Sequence, residues 1–152
     1  DYIVNEYHNK VYKLLPQLMA YLNKLVQVHG ANHPELKEIA DLFSLVNTEL
    51  PIHQRQEEEV FFPAIKEALR TNSVQAKEII TSQIAPMMDE HELIGGTIDK
   101  INVLSKKYSV PDDGCNTYRL TYKLLEEFED DLHTHVHLEN NILYPKALNL
   151  TK

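Results

Sequence analysis

The chain has 152 residues, room for one domain, and its 43% hydrophobic and 25% charged content suits a globule with a real core. Fifteen Lys and Arg against 23 Asp and Glu give a net charge of −8, which argues against non-specific binding to nucleic acid or to an anionic membrane. The single Cys115 excludes an internal disulfide and a cysteine-built zinc site, and no apolar run or leader of targeting type is visible, so a cytoplasmic location is expected. The chain opens at Asp1 without Met, with Tyr2-Ile3-Val4 already reading as regular structure, so a processed or excised domain is expected.

Turn signals cluster in three places: His29-Gly30-Ala31-Asn32-His33-Pro34, Thr71-Asn72-Ser73, and Ser109 through Asn116. The four segments between them carry apolar repeats stepping by three or four. This predicts an all-α, antiparallel up-down four-helix bundle. The first helix presents Val4, His8, Val11, Leu15, Leu18, Leu22 and Leu25 on one stripe. The second presents Ile39, Phe43, Val46, Leu50, His53, Glu57, Val60 and Ala64. The third presents Ile80, Ile84, Met87, His91, Ile94, Ile98 and Ile101, and the fourth Leu125, Phe128, Leu132, His135, Glu139 and Ile142. Pro16, Pro51, Pro63 and Pro86 lie inside these segments and are expected to kink or interrupt the helices.

Four His and two Glu thus break stripes that are otherwise apolar. Burying such groups unpaired is costly, and six in one core call for a common partner. Counted from the three reversals, they lie within roughly one helical turn of one level. Two segments also repeat each other: His53 to Pro63 and His135 to Pro145 both read His-x3-Glu-x2-[Val/Ile]-x2-Pro. A His and a Glu four apart share a helix face, so both can reach one metal centre. Four imidazoles and two carboxylates suit a pair of iron ions, with manganese or zinc possible by ligand type. With two His per metal and both carboxylates bridging, each ion has four protein ligands, leaving places for an oxo or hydroxo bridge and a small molecule. The alternative is a core in which these His and Glu merely pair with one another, at a high cost in desolvation.

Other polar residues read differently. His133 and His137 stand two residues either side of His135 and so point away from the site. His29 and His33 lie in a turn and are expected to be exposed. Glu58, Glu59, Glu126, Glu127, Glu129, Asp130 and Asp131 read as a solvated acidic face. Glu90, beside His91, is either a carboxylate supporting the ligands or plain surface. Phe61, Phe62 and Tyr144 are expected to pack the closed end of the bundle. Gly95 and Gly96, unusual within a helix, fit either a small-molecule path or close helix packing.

These residues carry a resemblance. The chain resembles the hemerythrin-like cation-binding domain over 1–152, and more closely the bacterial iron–sulfur cluster repair (repair of iron centres) di-iron proteins. The matching stretches are Asp1 to His8, His53-x3-Glu57, Glu90-His91-Glu92, and His135-x3-Glu139 through Pro145. The resemblance implies that His8, His53, His91 and His135 ligate iron and that Glu57 and Glu139 bridge the ions. Oxygen-carrying hemerythrins have a fifth His one turn beyond the third ligand, where this chain has Gly95. Members of the repair family usually carry an upstream module with a cysteine pair, so an N-terminal module outside this chain is expected. The implied function is a stress-response protein that restores damaged iron–sulfur clusters, by iron delivery or by handling nitric oxide. Its implied partners are nitric oxide or dioxygen and damaged iron–sulfur proteins, with a homodimer compatible and nucleic acid and membranes excluded. The alternatives are a sensor or carrier of oxygen or nitric oxide, and a small-molecule di-iron oxidoreductase.

Overall fold

The computed structural model describes residues 7–152. Val4 and the stretch before Tyr7 lie outside the described residues. Among the described residues, six α-helices follow in order: α1 (Asn9–His29), α2 (Glu35–Gln56), α3 (Phe62–Thr71), α4 (Val74–Leu104), α5 (Asn116–Leu138) and α6 (Tyr144–Asn149). A π-helical turn, Glu57–Phe61, joins α2 to α3, and a second, Glu139–Leu143, joins α5 to α6. Each such pair forms one arm, so the chain makes the expected four-arm helical bundle. Around it, α1 packs on α2 and α5, and α4 packs on α2, α3 and α5.

The apolar stripes turn inward as their spacing requires. Leu15, Leu18, Leu22, Leu25, Phe43, Val46, Leu50, Ile98, Ile101 and Leu125 are all buried in one cluster. A second, smaller cluster of Phe61, Ala64, Ala68, Ile80, Ile84, Met87, Tyr144 and Ala147 closes the other end. The polar layer lies between them.

Two expectations about the stripes need correction. Val60 is only half-buried and Ile142 is 44% exposed, whereas Phe61 and Tyr144 are buried. A π turn holds more residues than an α turn, so the inward stripe slips past the residues that a step of three selects. The prolines also act less uniformly than expected. α1, α2 and α4 continue through Pro16, Pro51 and Pro86. Pro16 and Pro86 are exposed and Pro51 half-buried, so water can serve the carbonyls that they leave unpaired. Of these four, Pro63 alone stands at a helix break, in the first turn of α3, where its missing N–H is tolerated.

The reversals have local causes. Asn72 takes the left-handed conformation, φ 56°, that ends α3, and Ser73 caps α4 by accepting from the Ala76 N–H. After α4, Lys106, Lys107 and Tyr108 all have positive φ, an uncommon run without glycine. Glu129 holds that turn: Asn102 Nδ2 donates to its carboxylate at 3.0 Å and the Tyr108 hydroxyl at 3.1 Å. Glu129 is therefore buried and does not belong to the solvated acidic face. Among the described residues, no helix is long and apolar enough to cross a membrane.

Candidate metal centre

The six polar stripe residues meet in one buried layer. His8 precedes α1, His53 lies in α2, His91 in α4 and His135 in α5, while Glu57 and Glu139 each open a π-helical turn. None is more than 5% exposed. Their ligating atoms form two sets, each within 4.8 Å: His8, Glu57, His135 and Glu139, and His53, Glu57, His91 and Glu139. The two carboxylates are common to both.

The π turns explain how the repeated motif works. In each, a backbone N–H five residues on, from Phe62 or Tyr144, reaches back to the carbonyl of Glu57 or Glu139. Pro63 and Pro145 follow at once and cannot supply the next bond, so the widened turn is a natural join. Just before it, the N–H of Glu57 and of Glu139 reaches back to the carbonyl of His53 and of His135, which puts each Glu one turn beyond its His. His53 Nε2 stands 3.0 Å from Glu57 Oε1, and His135 Nε2 is in close contact with Glu139 Oε1. Across the bundle, His8 Nε2 is 3.7 Å from Glu57 Oε1 and His91 Nε2 is 3.5 Å from Glu139 Oε1.

The donor set fits a cation. Both ring nitrogens of His8 and of His135, and Oε1 of Glu57 and of Glu139, are buried without a well-directed hydrogen bond. Such atoms are costly to leave unmatched, and converging imidazole and carboxylate lone pairs are what a divalent ion takes up. Protonation favours the same use. Burial, then the nearby His53, holds His8 down to about 4 and, against Asn140, His91 likewise to about 4. Burial, then His8 and His91, holds His135 at about 2. These rings are neutral and free to ligate at ordinary pH. His53 behaves oppositely: burial lowers it, but Glu57 and Glu90 together outweigh burial and raise it. Burial raises Glu57 above the usual carboxylate range despite His53.

Around this layer stand residues that periodicity did not single out. The Tyr144 hydroxyl lies 3.2 Å from Glu139 Oε2 and 3.4 Å from Glu57 Oε2, so it touches both shared carboxylates besides packing against Phe61. Glu58 leaves the acidic face to sit near His8 and to accept from the Tyr12 hydroxyl. Glu90 is hydrogen-bonded to Nδ1 of His53, across from its sequence neighbour His91. Nδ1 of His91 meets Asn140 Oδ1 at 3.0 Å. Of these, Glu58, Asn140 and Tyr144 lie inside the repeated His-x3-Glu motif, the first two directly after its Glu and Tyr144 five residues after Glu139.

The remaining candidates lie elsewhere. His133 and His137 are exposed. His29 and His33 are half-buried, contrary to expectation, with His29 Nε2 3.4 Å from Cys115 Sγ and His33 Nε2 2.8 Å from Asp113. A Cβ at Gly95 or Gly96 would meet nothing within 4 Å, so neither glycine serves close helix packing. An open groove lined by Ala85, Met88, Glu92, Val136 and Asn140 reaches His91, and a narrow cleft of about 20 Å³ reaches His135.

Comparison with known proteins gives a concordant result. The model of the hemerythrin HHE cation-binding domain matches residues 1–147. The iron–sulfur cluster repair protein ScdA of Staphylococcus epidermidis is 33% identical over 97% of this chain, and that of Staphylococcus haemolyticus 34% over 96%. The iron–sulfur cluster repair protein YtfE of Yersinia pestis is 32% identical over 97%. The chain spans 64% of the length of each of these curated relatives.

Proposed function

The chain belongs to the hemerythrin HHE cation-binding family, and on that premise we propose that it is a di-iron protein of iron–sulfur cluster repair. In this reading residues 1–152 form the iron-binding domain, His8, His53, His91 and His135 ligate, and Glu57 and Glu139 bridge two ions. The reading includes a cytoplasmic setting and damaged iron–sulfur proteins as targets, under nitrosative or oxidative stress. The observation that carries it is the pair of four-residue sets that share two buried carboxylates.

Two irons would supply a redox-active pair able to meet a small ligand. The chain's own residues do the rest. Burial of the layer keeps three imidazoles neutral and excludes bulk water from the carboxylates. Tyr144 steadies Glu57 and Glu139 through its hydroxyl. Glu90 and Asn140 orient the rings of His53 and His91.

Anaerobic loading with ferrous iron, followed by metal analysis, tests the reading. Two irons per chain are expected. At least one should be lost in His53→Ala or His135→Ala, and none in His133→Ala or His137→Ala. The loaded protein should restore activity to a cluster enzyme damaged by nitric oxide, and His135→Ala should not. Rescue by metal-free protein would remove the di-iron mechanism. The open space at Gly95, where carriers place a fifth His, favours one further reading, direct binding of dioxygen or nitric oxide. Ligand binding without rescue would point to a sensor or carrier, and turnover of nitric oxide to a reductase.

A further inference from the structure

Each ligating ring has a second nitrogen turned away from the layer, and these four are not treated alike. A hydrogen-bond acceptor there fixes the tautomer and the orientation of the ring, and its loss typically costs 10–100-fold in metal affinity. His53 has the Glu90 carboxylate, and His91 has Asn140 Oδ1 at 3.0 Å. Both acceptors come from other arms of the bundle: Glu90 from α4 to α2, Asn140 from the second π turn to α4. The set that contains His53 and His91 is therefore clamped at both rings.

The other set is not. Glu58 Oε1 stands 3.6 Å from His8 Nδ1, beyond hydrogen-bonding distance, and that nitrogen has no partner among the described residues. The other oxygen of Glu58 is engaged by the Tyr12 hydroxyl. His135 Nδ1 is buried and has no partner among the described residues. What surrounds that ring is the stacked face of Tyr7, at 5.4 Å between centroids, and a cleft lined by Lys10, Val11, Leu14, Phe128, Asp131 and Leu132, none of which hydrogen-bonds its Nδ1. A ring nitrogen that no acceptor meets leaves the orientation of its ring unclamped.

We infer that the two metal positions are unequal, and that the ion held by His8 and His135 is the one released first. The inference rests on the di-iron reading and gives it a direction: iron delivery would draw on that ion, while the one at His53 and His91 stays. Access to water argues for the reverse order. The groove between α4 and α5 ends at His91, the most exposed of the four, at 5%. Ring clamping and access thus make opposite predictions.

The experiment loads the chain with two ferrous ions, adds excess ferrous chelator at fixed pH, and follows iron remaining per chain. Two phases of one iron each are expected, the first about 10–100-fold faster. Anomalous scattering from crystals of the one-iron form should place the remaining iron at His53 and His91. Asn140→Ala and Glu90→Gln should speed the slow phase by about 10–100-fold each and leave the fast one unchanged. Loss of both ions in one phase, or a remaining iron at His8 and His135, would overturn the inference while leaving the di-iron reading intact. Uptake of fewer than two irons by the unaltered chain would overturn that reading and the release order together. The wild-type phases and the one-iron crystal decide the matter even where a variant fails to fold.

Discussion

The two halves of this bundle bury polar groups on different terms. Toward the turns at residues 30–34 and 105–115, the core is leucine, isoleucine and aromatic side chains, and the one carboxylate buried there among the described residues, Glu129, is matched by Asn102 and Tyr108. In the layer of His8 and Glu57, buried imidazole and carboxylate atoms lack such matches. Gln54 beside that layer, and the Tyr118 hydroxyl in the apolar half, are also unmatched, but both are neutral and cost far less than a carboxylate. A structural polar group brings its partner within the chain, whereas a ligand leaves its lone pairs for something else. The contrast separates Glu129 from Glu139, ten residues apart on one arm, although both are buried.

Metal removal should break the comparison most sharply. If the unmatched layer holds ions, binding at about a thousand times the dissociation constant stabilises the fold by roughly 4 kcal/mol, and chelation removes that amount. Calorimetry of loaded and stripped protein should show a matching fall in Tm. An unchanged Tm would mean that the layer is matched by water and resembles any solvated surface. The apolar half should respond in the opposite manner. Leu22 is fully buried, and Leu22→Ala should cost about 3 kcal/mol through lost contacts and a residual cavity. Iron per chain should stay at the wild-type value. Loss of iron in that variant would show that the two halves are not independent.

How much of this was legible in the residues differs along the chain. α4 is regular for 31 residues, and every position of its predicted stripe from Ile80 to Ile101 is buried, because a step of 3.6 residues holds throughout. The level shared by His8, His53, His91 and His135 followed from counting back to the reversals. The π turns did not follow, since Val60 and Ile142 look like ordinary next steps and only the proline after each motif signals a change of pitch. Tyr144 was readable as an aromatic plug, but its hydroxyl contact with two carboxylates needs the two arms in place. Glu58 and Glu129 sit among acidic neighbours, and composition alone cannot pick out the one that turns inward.

Acid should sharpen the comparison through the stripped protein. His8, His91 and His135 have folded pKa values below the usual 6.5, at about 4, about 4 and about 2. As pH falls from 6.5 toward 4, the unfolded chain takes up these protons and the folded chain does not, so stability falls with pH. Glu57, raised by burial, acts in the reverse sense, since the folded state holds its proton at higher pH. The three rings act in the same sense, and the expected net effect over that window is a loss of stability on acidification. His53 is raised and is protonated in both states there. Denaturant melts of the metal-free chain between pH 6 and pH 4.5 should show a falling midpoint. A flat or rising midpoint would mean that the rings are already protonated in the folded chain.

The smallest expected effect lies at the far end of the apolar half. Cys115 stands at the residue before α5 with its thiol exposed, and His29 Nε2 is 3.4 Å from its sulfur. That hydrogen bond, and next the backbone N–H of Tyr118, lower the thiol below its ordinary pKa, while slight burial opposes them. A thiol so placed ionises at lower pH, and alkylation follows the thiolate. The rate of iodoacetamide labelling against pH should therefore have its midpoint below that of a free cysteine, and His29→Ala should move the midpoint upward. The shift is limited because the group is solvated and water competes for the same charge. Iron content should not respond, because His29 and Cys115 belong to neither set of ligating residues. Identical labelling profiles for wild type and His29→Ala would show that the thiol ignores its neighbour, and any change in iron content would show that this end of the bundle is coupled to the metal layer after all.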